Sequence, residues 1–326
     1  MVWLCTLSLG AFVLGVLIGS DGFENPQNAL NNSVSLSIIY DIRLPRTIGA
    51  WFAGALLGLS GALAQGLFRN PLADPYLLGS ASGASLGVAS VLVLVGAGGA
   101  AGNSSWALKL GLSSAAFLGA ILAVTLTLIL SKGVQHTLRL LLAGIVVSVI
   151  LGALTSLATI LNPQITQTMQ SFLLGSTNFI NWDSVLLLGS AWFICSVLAW
   201  LLSKALDALS LGELTAVSLG LRLRPVRFIL IAALALAIGT SVAQTGLIAF
   251  VGLAAPHLVR SLVKVTHNWL ILLSSLMGAL LLLTADLGAR ILIAPEELPV
   301  GVLTAVIGGV YLLCLMYSHN LNSDSL

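Results

Sequence analysis

The sequence predicts an all-α membrane protein of about ten transmembrane helices, with both termini cytoplasmic. Three observations carry this. Of 326 residues, 58% are hydrophobic and only 7% are charged, where soluble domains carry roughly 25% charged residues. Apolar runs near the length needed to cross about 30 Å of hydrocarbon recur along the whole chain. The basic residues between those runs fall unevenly on the two sides. A bilayer accepts this much apolar surface, and helices satisfy their own backbone groups there. Residues 1–326 read as a single polytopic domain.

The first run, residues 2–19, contains no Lys or Arg. The charged start of a signal peptide is therefore missing, and a first transmembrane helix fits better. Further runs follow at 47–68, 77–97, 110–131, 138–161, 183–203, 227–246, 248–264, 268–293 and 299–318. The eighth is the weakest, because it follows the seventh almost directly and is interrupted by Pro256 and His257. With the N-terminus inside, the inner loops receive Arg69, Lys132, Arg139, Lys204, Arg222, Arg224, Arg227, Arg260 and Lys264. The outer loops receive Arg43, Arg46, Lys109 and Arg290. Nine of 13 basic residues thus lie inside, which selects this orientation. Most acids fall outside: Asp21, Glu24, Asp41, Asp183, Glu296 and Glu297.

Small residues mark helix contacts. Gly54 and Gly58 lie four apart in the second run, and Gly79, Gly83 and Gly87 do so in the third. Such bare stripes let a neighbouring backbone approach closely. The fifth run carries Gly144, Ser148, Gly152 and Ser156 at the same spacing, with Thr155 and Thr159 beside them. Tight packing is one reading of that stripe. The other is that its hydroxyl side, Ser148 and Thr155, faces a pathway, since polar groups turn away from lipid.

Two interruptions carry signals of their own. Residues 162–182 are too short to span and read as a short outer helix ending at Gly175. Residues 204–226 read as a cytoplasmic helix–Gly–helix element. Ser210 and Glu213 fit a capping box, Gly220 ends the first helix, and Pro225 suits the first turn of a second short one. Asn70 and Asp74 flank two prolines and read as a structural turn. His257 reads as a packed residue, and Cys5, Cys195 and Cys314 as packing residues without metal or redox spacing. No catalytic, metal or cofactor site is expected. A net charge of +2 gives no basic field for nucleic acid.

Several strings have a family likeness. They are Ile42-Arg43-Leu44-Pro45-Arg46, then Gln65-Gly66-Leu67-Phe68-Arg69-Asn70-Pro71-Leu72-Ala73-Asp74-Pro75, and Leu141-Leu142-Ala143-Gly144. Leu211-Gly212-Glu213, Leu219-Gly220, Ala255-Pro256-His257 and Glu297-Leu298-Pro299 follow in that order. Together they resemble the FecCD family of ABC-importer permeases, which import iron–siderophore complexes, haem and vitamin B12. The resemblance covers nearly the whole chain. It implies a ten-helix subunit that pairs with a second copy around a central path. Two ATPase subunits would bind the cytoplasmic face, and a periplasmic substrate-binding protein would deliver cargo across the inner membrane. It makes residues 204–226 the coupling element, with Gly212, Glu213, Ala216 and Gly220 at the ATPase contact. It sets Arg43 and Arg290 on the outer face against carboxylates of the binding protein, and Thr137 at the cytoplasmic gate. The neighbouring Leu138 is apolar where a family member carries a hydroxyl.

Read from the residues alone, Arg43 and Arg46 fit interfacial snorkelling, and Arg290 fits an ion pair with Asp286 four residues earlier. The chain has no G-x-x-x-x-G-K-[ST] loop, so ATP hydrolysis is expected on a partner. An ion-coupled secondary transporter is the competing class. It needs a charged group at mid-membrane, and Asp286 is the best candidate.

Overall fold

The computed structural model describes residues 2–19, 22–23, 33–97, 105–131 and 137–323. Asp21, Glu24 and Lys132 lie outside them, as do the side chains of Lys109 and Thr137. Helices dominate: α1 (Val2–Leu17), α2 (Ser33–Ile38), α3 (Leu44–Phe68), α4 (Ser80–Ala97), α5 (Ser105–Leu130) and α6 (Thr137–Leu161). They continue as α7 (Thr166–Leu174), α8 (Trp182–Leu201), α9 (Ser203–Ser210), α10 (Glu213–Ser218) and α11 (Leu223–Thr245). The last three are α12 (Val251–Leu262), α13 (His267–Ile291) and α14 (Val300–Ser323). Each predicted apolar run is helical. Among the described residues, six helices are long and apolar enough to cross a membrane: the α2–α3 rod, α5, α6, α8, α11 and α13. Parts of α1, α4 and α14 are shorter apolar helices.

The eighth run differs from expectation. It forms a helix of only 12 residues, about 18 Å long at 1.5 Å per residue. An irregular segment from Gly246 to Phe250 precedes it. Pro256 lies inside α12 and has no N–H to give the Gly252 carbonyl. That carbonyl faces Gly61 of α3, where a Cβ would lie 1.6 Å from the oxygen. Only glycine admits this contact.

Helix α3 is the central element. It is buried along almost its whole length and packs against α13, α12, α8 and α11. In lipid, apolar burial between helices gives little driving force, so close van der Waals approach has to supply it. The glycines provide that approach. A Cβ at Gly54 would lie 2.4 Å from the Gly278 carbonyl oxygen, and one at Gly58 2.1 Å from that of Ser274. The second glycine pair joins α4 to α5: a Cβ at Gly83 would meet the Gly119 oxygen at 2.3 Å, and one at Gly87 the Ala115 oxygen at 2.1 Å. Gly79 does not continue this stripe. It precedes the helix with φ of 86° and closes a 3-10 turn over Pro75–Leu78.

Gly83→Leu should therefore lower folded yield and thermal stability, by roughly 1–3 kcal/mol for overpacking. Gly111→Ala is the control, because its nearest neighbour, Val91, lies 3.9 Å away. Equal thermal midpoints for the two variants would show that α4 and α5 do not meet along this stripe.

Helix α7 forms as expected and ends at Gly175 with φ of 67°. It rests on the ends of α11 and α14, where Gly246 and Gly301 lie against the Phe172 and Leu174 carbonyls. Cys195 is buried, whereas Cys5 and Cys314 are exposed, so only Cys195 packs inside the chain. His257 stacks edge-on against Tyr311 at 5.9 Å, as a packed residue would.

Candidate functional site

One end of the bundle collects the C-termini of α3, α8 and α12 and the N-termini of α11 and α13. It carries Arg69, Lys204, Arg222, Arg224, Arg227, Arg260 and Lys264. Helices α9 and α10 lie there. Within α9, Leu206 and Leu209 are fully buried, and Asp207 accepts from the His267 backbone N–H at 3.0 Å. Asp207 also meets His267 Nδ1 at 2.7 Å. The element is thereby anchored to the start of α13.

The capping box expected from Ser210 and Glu213 does not form. An additional helix, α9, occupies residues 203–210, so Ser210 is its last residue and donates to the Asp207 carbonyl. The N-cap of α10 is Gly212, with φ of 115°, a conformation that favours glycine. Glu213 instead accepts from Arg227 at 2.5 Å, with Arg69 at 3.8 Å. This latch ties α10 to the start of α11 and the end of α3. Gly220, with φ of 85°, closes a Schellman motif: Gly220 N–H donates to Val217 and Leu221 N–H to Ala216. The expected second short helix is also absent as a separate piece. Pro225 sits in the first turn of the long α11, where its missing N–H leaves no bond broken.

Ala216, expected at a partner contact, is fully buried inside the chain. The outward face of this element is apolar instead: Leu211, Leu214, Val217 and Leu219 are all exposed, Leu214 at 89%. Helix α10 has six residues and cannot cross a bilayer. Nearby, Asn70 Oδ1 accepts from Leu72 N–H at 2.9 Å and Asp74 Oδ1 from Tyr76 N–H at 2.7 Å. These are the structural turns their neighbouring prolines predict.

The opposite end holds a buried ionic network. Asp286 of α13 is fully buried. It accepts from Arg46 Nε and Nη2 at 3.1 and 2.9 Å, from Thr177 and from Arg290. The Arg290–Asp286 pair that the spacing suggests is formed. Arg46 Nη1 reaches both Glu297 oxygens at 2.9 Å. Arg290 also donates to the Gly15 and Ile18 carbonyls at 2.7 and 3.1 Å, and Arg43 to the Leu17 carbonyl at 3.1 Å. The Gly15 and Leu17 carbonyls lie in the last turn of α1, where carbonyls lack an intrahelical partner, and Ile18 directly follows the helix. A guanidinium there also complements the negative end of the helix dipole. Arg43 and Arg290, expected to face a partner's carboxylates, are 7% and 1% exposed, so in this conformation they point into the chain. Arg46 is buried in the network and does not snorkel. Among the described residues, the charged side chains exposed at this end are Asp41, Asp183 and Glu296.

On α6, the backbone begins at Thr137, and its side chain lies outside the described residues. Ser148 is half-buried and donates to the Gly144 carbonyl at 2.8 Å. Thr155 is buried and donates to the Leu151 carbonyl at 2.9 Å. Both hydroxyls are satisfied by their own helix. Gly144 packs against the Leu77 carbonyl, whereas a Cβ at Gly152 would meet nothing within 4 Å, so the expected stripe divides between a packed and an open half. Along the open side α6 exposes Leu142, Ile145, Val149, Leu154 and Leu157.

These features agree with what the chain resembles. The pattern of the FecCD transport family matches residues 2–318. The hemin transport system permease protein HmuU of Yersinia pestis is 38% identical over 323 residues, covering 97% of this chain and 93% of HmuU. The ferric enterobactin transport system permease protein FepD of Escherichia coli strain K12 is 38% identical over 284 residues, covering 87% of this chain and 83% of FepD. A solved metal-chelate-type ABC transporter in an inward-facing conformation superposes with a TM-score of 0.86 at 32% identity, covering 97% of both chains. These relatives are named as permeases of transport systems, not as enzymes. With a match across nearly its full length, this multi-pass chain belongs to the FecCD transport family.

Proposed function

We propose that the chain is the permease subunit of an ATP-driven importer in the bacterial inner membrane. It carries an iron chelate, siderophore-bound or haem, or alternatively vitamin B12, from periplasm to cytoplasm. The observation that carries the reading is the exposed apolar face of Leu211, Leu214, Val217 and Leu219, on and beside a helix too short to span. It sits on the basic end of the bundle, which the positive-inside rule assigns to the cytoplasm, and both termini belong on that side. A permease without a nucleotide loop needs a mechanical contact with its ATPase, and the Glu213–Arg227–Arg69 latch would pass force from that contact into α11 and α3.

Two copies pair along the apolar face of α6 around a central path, with two ATPase subunits below and a substrate-binding protein above. Thr137, Ser148 and Thr155 lie on the helix proposed to line that path, with Thr137 at its cytoplasmic mouth. Residues 1–326 act as one permease domain, with residues 204–226 as its coupling part. An iron chelate is favoured over the vitamin because the relatives with 38% identity are named for hemin and ferric enterobactin. The test is co-expression with the ATPase and binding protein encoded beside it, followed by chelate-stimulated ATP hydrolysis in vesicles. A chain that moves its cargo without an ATPase, driven by an ion gradient, would overturn the reading. The sealed Asp286 offers no free acid for such coupling.

Arg43 and Arg290 are proposed to serve docking by holding the end of α1 in place rather than by touching the binding protein. Arg43→Gln keeps a donor for the Leu17 carbonyl and removes no contact with the binding protein, so association should stay within about threefold of the parent, under about 1 kcal/mol. A loss of about a hundredfold or more would instead mean that the guanidinium meets a carboxylate on the partner.

A further inference from the structure

At the basic end, two clefts lie side by side and share a wall. One, of about 500 Å³, is lined by Arg69, Asn70, Ser210, Arg260, Lys264 and His267 among others, and no carboxylate lines it. The other, of about 560 Å³, is lined only by apolar side chains, among them Trp3, Leu262, Trp269 and Leu273. Val263 and Val265 belong to both. They flank Lys264 in the extended segment between α12 and α13.

The charges of the first cleft are only partly met within the chain. Among the described residues Arg260 bonds the neutral side chain of Gln65, and neither Arg260 nor Lys264 forms an ion pair. Arg69 has Glu213 at 3.8 Å, with both groups substantially exposed, so that pair neutralises little. His267 is turned to Asp207. The cleft therefore keeps an excess of positive charge. Beside it, Trp3 and Trp269 are exposed at 82% and 48%, as tryptophans are at a membrane–water boundary.

From this juxtaposition we propose that the paired clefts bind one anionic phospholipid of the adjoining leaflet. Its phosphodiester lies over Arg260 and Lys264, and an acyl chain runs along Trp269, Leu262 and Leu273. A free anion would leave the apolar cleft unfilled, and a zwitterionic lipid would place a choline among three cations. Basic pockets between helices on the cytoplasmic side suit acidic headgroups in this way. Bound there, the lipid would bridge the α1 N-terminus to the α12–α13 turn, beside the coupling helices. The inference rests on the proposed orientation only in naming the leaflet as cytoplasmic.

The test is native mass spectrometry of the full chain alone, released from micelles containing phosphatidylglycerol or phosphatidylcholine with matched acyl chains. Because ATPase, binding protein and cargo are absent, failure here would leave the transport reading untouched. Phosphatidylglycerol should be retained in preference. Lys264→Gln, in an exposed segment, should lower that retention about fivefold, the effect of one lysine at an anionic surface. Trp269→Ala should lower retention of both lipids, with each variant's thermal midpoint in lipid-free detergent checked against the parent. Millimolar inorganic phosphate should not displace the lipid. Equal retention of the two lipids, or phosphatidylglycerol retention unmoved by Lys264→Gln, would overturn the proposal. Displacement by phosphate would also overturn it and would assign the basic cleft to a soluble anion.

Discussion

Asp286→Ala should be the most damaging single substitution in this chain, lowering its stability by about 3–5 kcal/mol. The carboxylate accepts from Arg46, Arg290 and Thr177 and has no exposed surface. Removing it leaves two buried guanidiniums facing each other, and desolvated charge without a partner is what makes breaking a buried pair so costly. Arg46 would keep Glu297, and Arg290 would keep the carbonyls of Gly15 and Ile18, so α1 should loosen first. Thermal unfolding in detergent would show a large drop in midpoint, with early loss of protection in the α1 amides by hydrogen exchange. Asp286→Asn separates charge from shape, and it should recover only a minor part of the loss. A midpoint within a degree of the parent for Asp286→Ala would mean that water or ions reach the two arginines.

Leu214→Asp should abolish co-purification of the ATPase while leaving the permease folded and inserted. Leu214 is 89% exposed on α10, and its side chain meets little within the chain. A carboxylate there costs the free subunit almost nothing. In a complex it would be desolvated in an apolar contact without a partner, at a cost of several kcal/mol, so affinity should fall by about a thousandfold or more. Ala216→Arg should act differently. Ala216 is fully buried beneath the same helix, so a long cation forces the element off α11 and lowers its own stability. Protease sensitivity of residues 204–226 distinguishes the two, with Ala216→Arg cleaved and Leu214→Asp resistant. If Leu214→Asp retained its ATPase, the contact would have to be sought around Arg69 to Asp74 or Lys132 to Arg139.

The places where sequence reasoning fell short share a cause. Ser210 and Glu213 have the spacing of a capping box, but capping is local only if the helix begins there. Leu206 and Leu209, buried against the bundle, draw residues 203–210 into a helix of their own, which leaves Ser210 at an end rather than a beginning. Glu213 then finds Arg227, 14 residues on. Ala216 and Leu214 are two positions apart on one short helix, and their composition favours the small residue as a groove-filler. Only the packing of α10 on its own chain turns Ala216 inward and Leu214 outward. Arg43 and Arg290 stand near a predicted boundary, where arginines commonly face water. Besides the pair that Arg290 forms with Asp286, both donate to backbone carbonyls at the end of α1, 26 and more than 270 residues away in sequence. Backbone carbonyls carry no side-chain signature, so no pattern in the sequence points to them.

By itself the sequence determined the solvent of this protein, the rough limits of most of its apolar helices, the glycine stripes that bring them together, and its family. These follow from composition, from run length set by bilayer thickness, and from motifs whose order is specific. Local chemistry also suffices for the Asn70 and Asp74 turns and the i, i+4 pair of Asp286 and Arg290, because both partners lie within one turn. The tertiary structure alone decided which glycine meets which carbonyl, which short helix precedes α10, which face of α10 is free, and that Arg46 and Arg290 close an internal network. Each of these depends on contacts between residues far apart in the chain, where the direction of a side chain is set by the neighbouring helix and not by its own segment.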